Sequence, residues 1–205
     1  MKKLFIGVLA TISILVYACG NNASTETPKE DKAPEHAHAT TEENAEVKVI
    51  KASFTNVDAA VAAHIKNLTD NYLQIKNALT RSLPAAAADA ANLILTDIKN
   101  FDKSQLSADQ KKVYDQQEGS IKTSAEHIAK STGDVEHQRE QFSNLSESLY
   151  TLVRSFGGGK TIYHDHCPMA KDGKGAMWLS ETKEIKNPYF GDKMMECGEV
   201  NEIIR

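Results

Sequence analysis

From Phe54 onward the apolar residues recur every three or four positions. Val57, Val61, Ile65, Leu68, Tyr72, Ile75 and Leu79 fall on one face of a helix. Thr55 or Asn56 is its predicted N-cap. A second helix is predicted from Pro84, a residue suited to the first helical position, to Leu93, Ile94, Ile98 and Phe101. Its many alanines predict close approach to neighbouring elements. Ser107-Ala108-Asp109-Gln110 is a capping-box pattern that starts a third helix. Val113, Tyr114, Ile121, Ala125 and Ile128 carry its apolar stripe, and Gly133 stands near its end. A fourth helix opens at Asp134, continues through Gln138, Phe142, Leu145, Leu149, Leu152, Val153 and Phe156, and is stopped by Gly157-Gly158-Gly159. At 1.5 Å per residue it spans roughly 34 Å.

The short connections favour antiparallel neighbours. The expected fold class is therefore all-α: an up-down-up-down four-helix bundle over residues 53–156. In that topology His64 lies near the pole from which the C-terminal segment leaves helix four, and His127 and His137 belong to the opposite end. Residues 157–205 read as a small irregular cap with room for a short β-hairpin, and seven of the 11 glycines fall there.

The chain begins differently. Met1-Lys2-Lys3 is basic, and Leu4–Tyr17 is an apolar run of fourteen residues, too short to span a bilayer of about 30 Å comfortably. Residues 1–18 read as a lipoprotein signal peptide, because Ala18 stands directly before Cys19, the expected lipidation site. Tyr17 departs from the small residue usual at its position. Gly20 rather than Asp follows the cysteine. The expected location is the cell envelope, with the protein anchored to the bilayer through acylated Cys19 in the outer membrane and facing the periplasm. Residues 19–52, rich in Thr, Glu, Asn, Ala, Lys and Pro, read as a disordered tether. His36 and His38 within it read as linker. Without residues 1–18 the chain has 22 cationic against 28 acidic side chains, a net charge of −6. That excludes a nucleic-acid partner held by phosphate neutralisation.

The C-terminal cap carries the chemistry. Residues 50–156 hold no Cys or Met, whereas Cys167, Met169, Met177, Met194, Met195 and Cys197 cluster beyond them. Gap-filling sulfur would be spread through the helices. Thiolates and thioethers select Cu(I), and imidazole suits copper or zinc. If Cys197 folds back on Cys167, a sulfur-rich pocket forms at the foot of the bundle. The candidate metal ligands are Cys167, Met169, Cys197, Met194, Met195, His166 and His164, with His64 added for its pole. Lys171, Lys174 or Lys193 would compensate thiolate charge. Alternatively Cys167 and Cys197 form a disulfide, closing a loop of about 30 residues and stabilising the module by about 3 kcal/mol. Met177 beside Trp178 reads as packing.

Gln138-Arg139 with Phe142 and Leu145-Ser146, Tyr163, Cys167-Pro168-Met169-Ala170, Gly175 to Ser180, Asn187 to Gly191 and Met194 to Gly198 carry a family resemblance. Over roughly residues 54–205 the chain resembles the domain-of-unknown-function family 3347. That family is seen in periplasmic lipoproteins and at the C-terminus of heavy-metal efflux adaptor (membrane fusion) proteins. Cys167-Pro168-Met169 also resembles the Cys-Pro-Met core of short heavy-metal-binding domains, with Ala170 where that motif carries His. The resemblance implies metal handling, with an efflux adaptor as partner. The expected function is Cu(I) binding for sequestration or delivery to an efflux system. The alternative is a disulfide-stapled interaction module without metal, with Trp178, Pro188, Tyr189 and Phe190 as a partner patch. Catalysis is not expected, because Cys167 and His166, the one nucleophile–base candidate, are neighbours that an extended chain turns to opposite faces.

Overall fold

The computed structural model describes residues 47–205. The signal peptide, Cys19, the two tether histidines and the tether up to residue 46 lie outside the described residues. None of the described helices is long and apolar enough to cross a membrane.

Four long helices form most of the structure: α1 (Ala59–Thr80), α2 (Pro84–Asn100), α3 (Ala108–Lys130) and α4 (Val135–Phe156). The N-cap of α1 is Asp58, not Thr55 or Asn56. Its carboxylate accepts the Ala60 N–H at 2.7 Å, satisfying one of the helix's open donors. Pro84 opens α2. The capping box of α3 is complete, with Ser107 Oγ accepting from Gln110 N and Gln110 Oε1 accepting from Ser107 N. Asp134 caps α4, which ends at Gly157 with φ 87°.

Side-chain contacts fix how the helices lie. Early in α1, His64 meets Phe101 after α2 and Tyr114 early in α3. At the other end of α1, the Leu79 carbonyl accepts from Arg139 near the start of α4. Gln138, also near that start, donates to the carbonyls of Pro84 and Ile128. Between the helices lies a core that includes Ile65, Leu68, Tyr72, Ile94, Ile121, Phe142 and Leu149, all essentially solvent-free.

The C-terminal cap is more ordered than a hairpin. Four strands, β1 (Lys48–Ile50), β2 (Ile162–Cys167), β3 (Ala176–Ser180) and β4 (Glu199–Ile204), form one sheet in the order β1-β4-β2-β3. The molecule is thus mostly helical with a small sheet rather than all-α. β2 pairs antiparallel with both β3 and β4, whereas β1 runs parallel to β4 through Lys48↔Glu202, Val49↔Ile203 and Ile50↔Ile204. The stretch read as tether through residue 52 therefore already contains a strand. Three residues are too few to display an alternation in the sequence, and the partner lies some 150 positions away.

The sheet packs on α1 and α4. Strand β2 leaves the end of α4 and runs back beside it. His164 packs on Tyr150, the segment after β2 reaches Ser143 through Lys171, and Gly191 lies against Arg139 and Thr80. This return path carries the sulfur-bearing segments to the far end of α1, away from His64.

Candidate functional site

The two cysteines meet. Cys167, the last residue of β2, is buried, and Cys197, just before β4, is half-buried; both are free thiols. Their side chains lie beside one another, with the Met169 backbone N–H near the Cys197 sulfur. The Cys167 contact, reinforced by desolvation, pushes the Cys197 thiol up to about 11, so without a bound cation it keeps its proton at neutral pH.

A buried asparagine holds the second thiol in place. Asn187 Nδ2 donates to the Cys197 carbonyl at 2.7 Å, and the Asn187 N–H donates to the Met195 carbonyl at 2.8 Å. Its Oδ1 accepts from the amides of Tyr189 and Phe190, an Asx turn that fixes the Asn187–Gly191 segment. Asn187 therefore satisfies its buried amide entirely from backbone that leads to the sulfur pair. Met194, Met195, Glu196 and Cys197 line an open depression of about 340 Å³. Met169 projects its side chain outward, 54% exposed.

The histidines do not join this pair. Alternation along β2 turns His166 away from the Cys167 thiol, and its ring lies over Gly175, where a Cβ would come within 2.6 Å of Nε2. His164 packs on Tyr150 with ring centroids 4.4 Å apart and the rings tilted by 30°, and its Nδ1 is 3.8 Å from Glu202. Burial lowers its pKa. His64 is at the opposite end of α1, stacked on Phe101 at 3.8 Å with Nε2 2.9 Å from the Tyr114 hydroxyl. Desolvation pushes its pKa down to about 4, so it is a neutral core histidine and not a ligand of the sulfur pair. Among the described residues, no group of three or more His, Cys, Asp and Glu side chains is placed to hold a metal ion.

The aromatic patch is internal. Trp178 is fully buried, Pro188 and Tyr189 are buried, and Phe190 is half-buried. Tyr189 packs between Phe142 and Trp178, and its hydroxyl donates to the Met177 carbonyl at 2.6 Å. Much of their apolar area goes into holding the cap on α4, and Tyr189 and Phe190 also line a surface groove. Met177 packs against the core, as its place beside Trp178 predicts. Lys171, Lys174 and Lys193 line a groove of about 560 Å³ with Glu136, Arg139, Glu140, Tyr189 and Phe190.

A buried charged cluster escapes sequence reasoning. Asp165, on β2, is fully buried, with neither carboxylate oxygen hydrogen-bonded; the Trp178 indole N–H lies near without closing a bond. Burial pushes its pKa up to about 7 against the opposing pull of Lys76. Lys76, 1% exposed, pairs with Glu181 at 3.0 Å. The one available signal is a lysine next to Ile75 in the apolar stripe of α1.

The architecture so defined is a mostly helical protein whose small C-terminal sheet presents two adjoining thiols. Residues 68–161, from the middle of α1 to the threshold of β2, match the model of the family described as Protein of unknown function (DUF3347). Over that stretch the resemblance read from the sequence is shown, and the thiol pair lies C-terminal to it. No curated protein and no solved structure matches the chain.

Proposed function

We propose that this is a lipid-anchored cell-envelope protein that binds a soft cation, Cu(I), through Cys167 and Cys197. Its helices serve as an up-down-up-down four-helix scaffold, and it performs no catalysis. The bound ion is sequestered or passed to an efflux system, with a heavy-metal efflux adaptor as partner. Acylated Cys19 holds the chain on the outer membrane, facing the periplasm.

One observation carries the reading: thiols thirty positions apart adjoin beside a depression walled by Met194 and Met195. Two thiolates with a neighbouring thioether match the preference of Cu(I) for soft donors. Met194 or Met195 is the better-placed thioether, and Met169 is the outer one. Metal uptake displaces the thiol protons.

The same adjacency supports a second reading, in which Cys167 and Cys197 oxidise to a disulfide that staples an interaction module without metal. One experiment separates the two. Free thiols are counted on freshly isolated protein, and the reduced protein is then titrated with Cu(I) against a strong chelator. Competition that disappears in Cys167→Ser and Cys197→Ser supports Cu(I) ligation. Absence of competition after full reduction leaves the stapled module.

A further inference from the structure

A second pair of metal-ligating side chains faces itself across the α3–α4 turn. His127 is in the last turn of α3 and His137 in the first turn of α4. His137 Nε2 lies 3.4 Å from His127 Nδ1, with the rings tilted at 58° and their centroids 5.6 Å apart. Both side chains reach solvent.

That separation is long for a hydrogen bond, whose donor–acceptor distance is about 2.7–3.2 Å for N–H donors. It is the bite of a tetrahedral ion. Two Zn–N bonds of about 2.0–2.1 Å at the tetrahedral angle place the nitrogens about 3.3–3.4 Å apart. The other nitrogen of His137 already has a suitable partner: Nδ1 is 3.5 Å from Glu140 Oε2. With Nδ1 facing that carboxylate, Nε2 is the nitrogen turned toward His127. The surroundings favour a cation, because Glu126, Asp134 and Glu140 flank the pair, with Lys130 tied to Glu126 at 3.9 Å and Arg139 to Glu136 at 2.8 Å.

We infer that His127 and His137 form a surface site for a borderline divalent transition ion of the zinc class, with Glu140 as the positioning residue and water completing the coordination. Borderline cations prefer imidazole, whereas the thiol pair selects soft ones, so the two sites differ in cargo. The site rests on a different observation from the Cu(I) reading and stands or falls without it. A bound ion would clamp the end of α3 to the start of α4.

The test is a zinc titration of the full chain by calorimetry, in a Cys167→Ser, Cys197→Ser background that removes the thiols. One zinc equivalent is expected to remain in that background and to raise the melting temperature. His127→Ala and His137→Ala should each weaken zinc affinity at least tenfold and abolish the thermal shift, with unchanged far-UV circular dichroism. Glu140→Gln should weaken affinity by about tenfold while leaving the zinc-free melting temperature unchanged, which distinguishes positioning from a structural role. Zinc affinity that survives both histidine substitutions, or that vanishes with the cysteines, overturns the site.

Discussion

The hydroxyl of Tyr72, in the middle of α1, accepts the backbone N–H of Leu179 on β3 at 2.9 Å. It also lies 2.7 Å from Ser146 Oγ. The Ser146 hydroxyl proton is already given to the Phe142 carbonyl, so Tyr72 donates to Ser146 and accepts from Leu179. β3 is an edge strand, and the Tyr189 hydroxyl donates to its Met177 carbonyl. Two tyrosines thus occupy part of the open ladder of the sheet and tie it to the helices.

Tyr72→Phe removes both bonds while preserving shape. It leaves the Leu179 N–H buried without a partner, which costs about 1–3 kcal/mol. Urea denaturation should show that loss as a lower midpoint with an unchanged slope. An unchanged midpoint would mean that the edge amide finds another acceptor.

Asn187→Ala frees the Cys197 carbonyl and the amides of Tyr189 and Phe190 together. The expected result is a stability loss of about 2–3 kcal/mol, in line with several buried groups left unsatisfied. A matching fall in Cu(I) affinity is expected, because the second thiol is no longer held. Full Cu(I) affinity in a destabilised variant would show that the metal itself gathers the two cysteines.

His64 gives the fold an acid sensitivity. Its folded-state pKa of about 4 lies below the ordinary 6.5, so the unfolded chain takes up the proton more readily. The stabilisation is complete above pH 6.5 and is lost as pH falls toward 4, by up to about 3 kcal/mol. His64→Leu should flatten the stability profile in that window whatever it does to stability at neutral pH. Chemical denaturation at half-unit pH steps reads this directly, and an unaltered profile would sink it.

Asp165 acts with the opposite sign. Its pKa is raised from 3.8 to about 7, so its stabilisation is complete below pH 3.8 and is lost as pH rises through 7. The effect is of the order of 4 kcal/mol, and it overlaps the His64 window so that the two partly offset. Asp165→Asn should therefore make the protein more stable at pH 7.5 and steepen its loss of stability on acidification. Lower stability at pH 7.5 would mean that the carboxylate is held charged by Lys76.

The helices were legible because their signals are local. Apolar stripes, Pro84, the Ser107–Gln110 box, Asp134 and the glycines after Phe156 each act within a few residues. Thr55, Asn56 and Asp58 are all competent N-caps for α1, and only the three-dimensional start of the helix selects Asp58. The adjoining cysteines were legible from their clustering with methionine. Their position was not, since it depends on β2 turning back along α4 instead of staying at the end it leaves. Trp178, Pro188 and Tyr189 looked like a docking face because a sequence does not distinguish an exposed aromatic from one that seals a small sheet onto a helix. Lys76 meets Asp165 and Glu181 across about 90 and 105 positions, and Asn187 meets the Cys197 carbonyl across 10, pairings that no periodicity records.

Strand β1 is only three residues long, yet it is what covers the outer side of β4. A polypeptide trimmed to start at residue 53 would keep all four helices and both thiols while baring a row of backbone amides and carbonyls. Such a row recruits the nearest extended segment, including one from a second molecule. The choice of first residue therefore governs whether purified material stays solitary or zips into dimers and larger clumps.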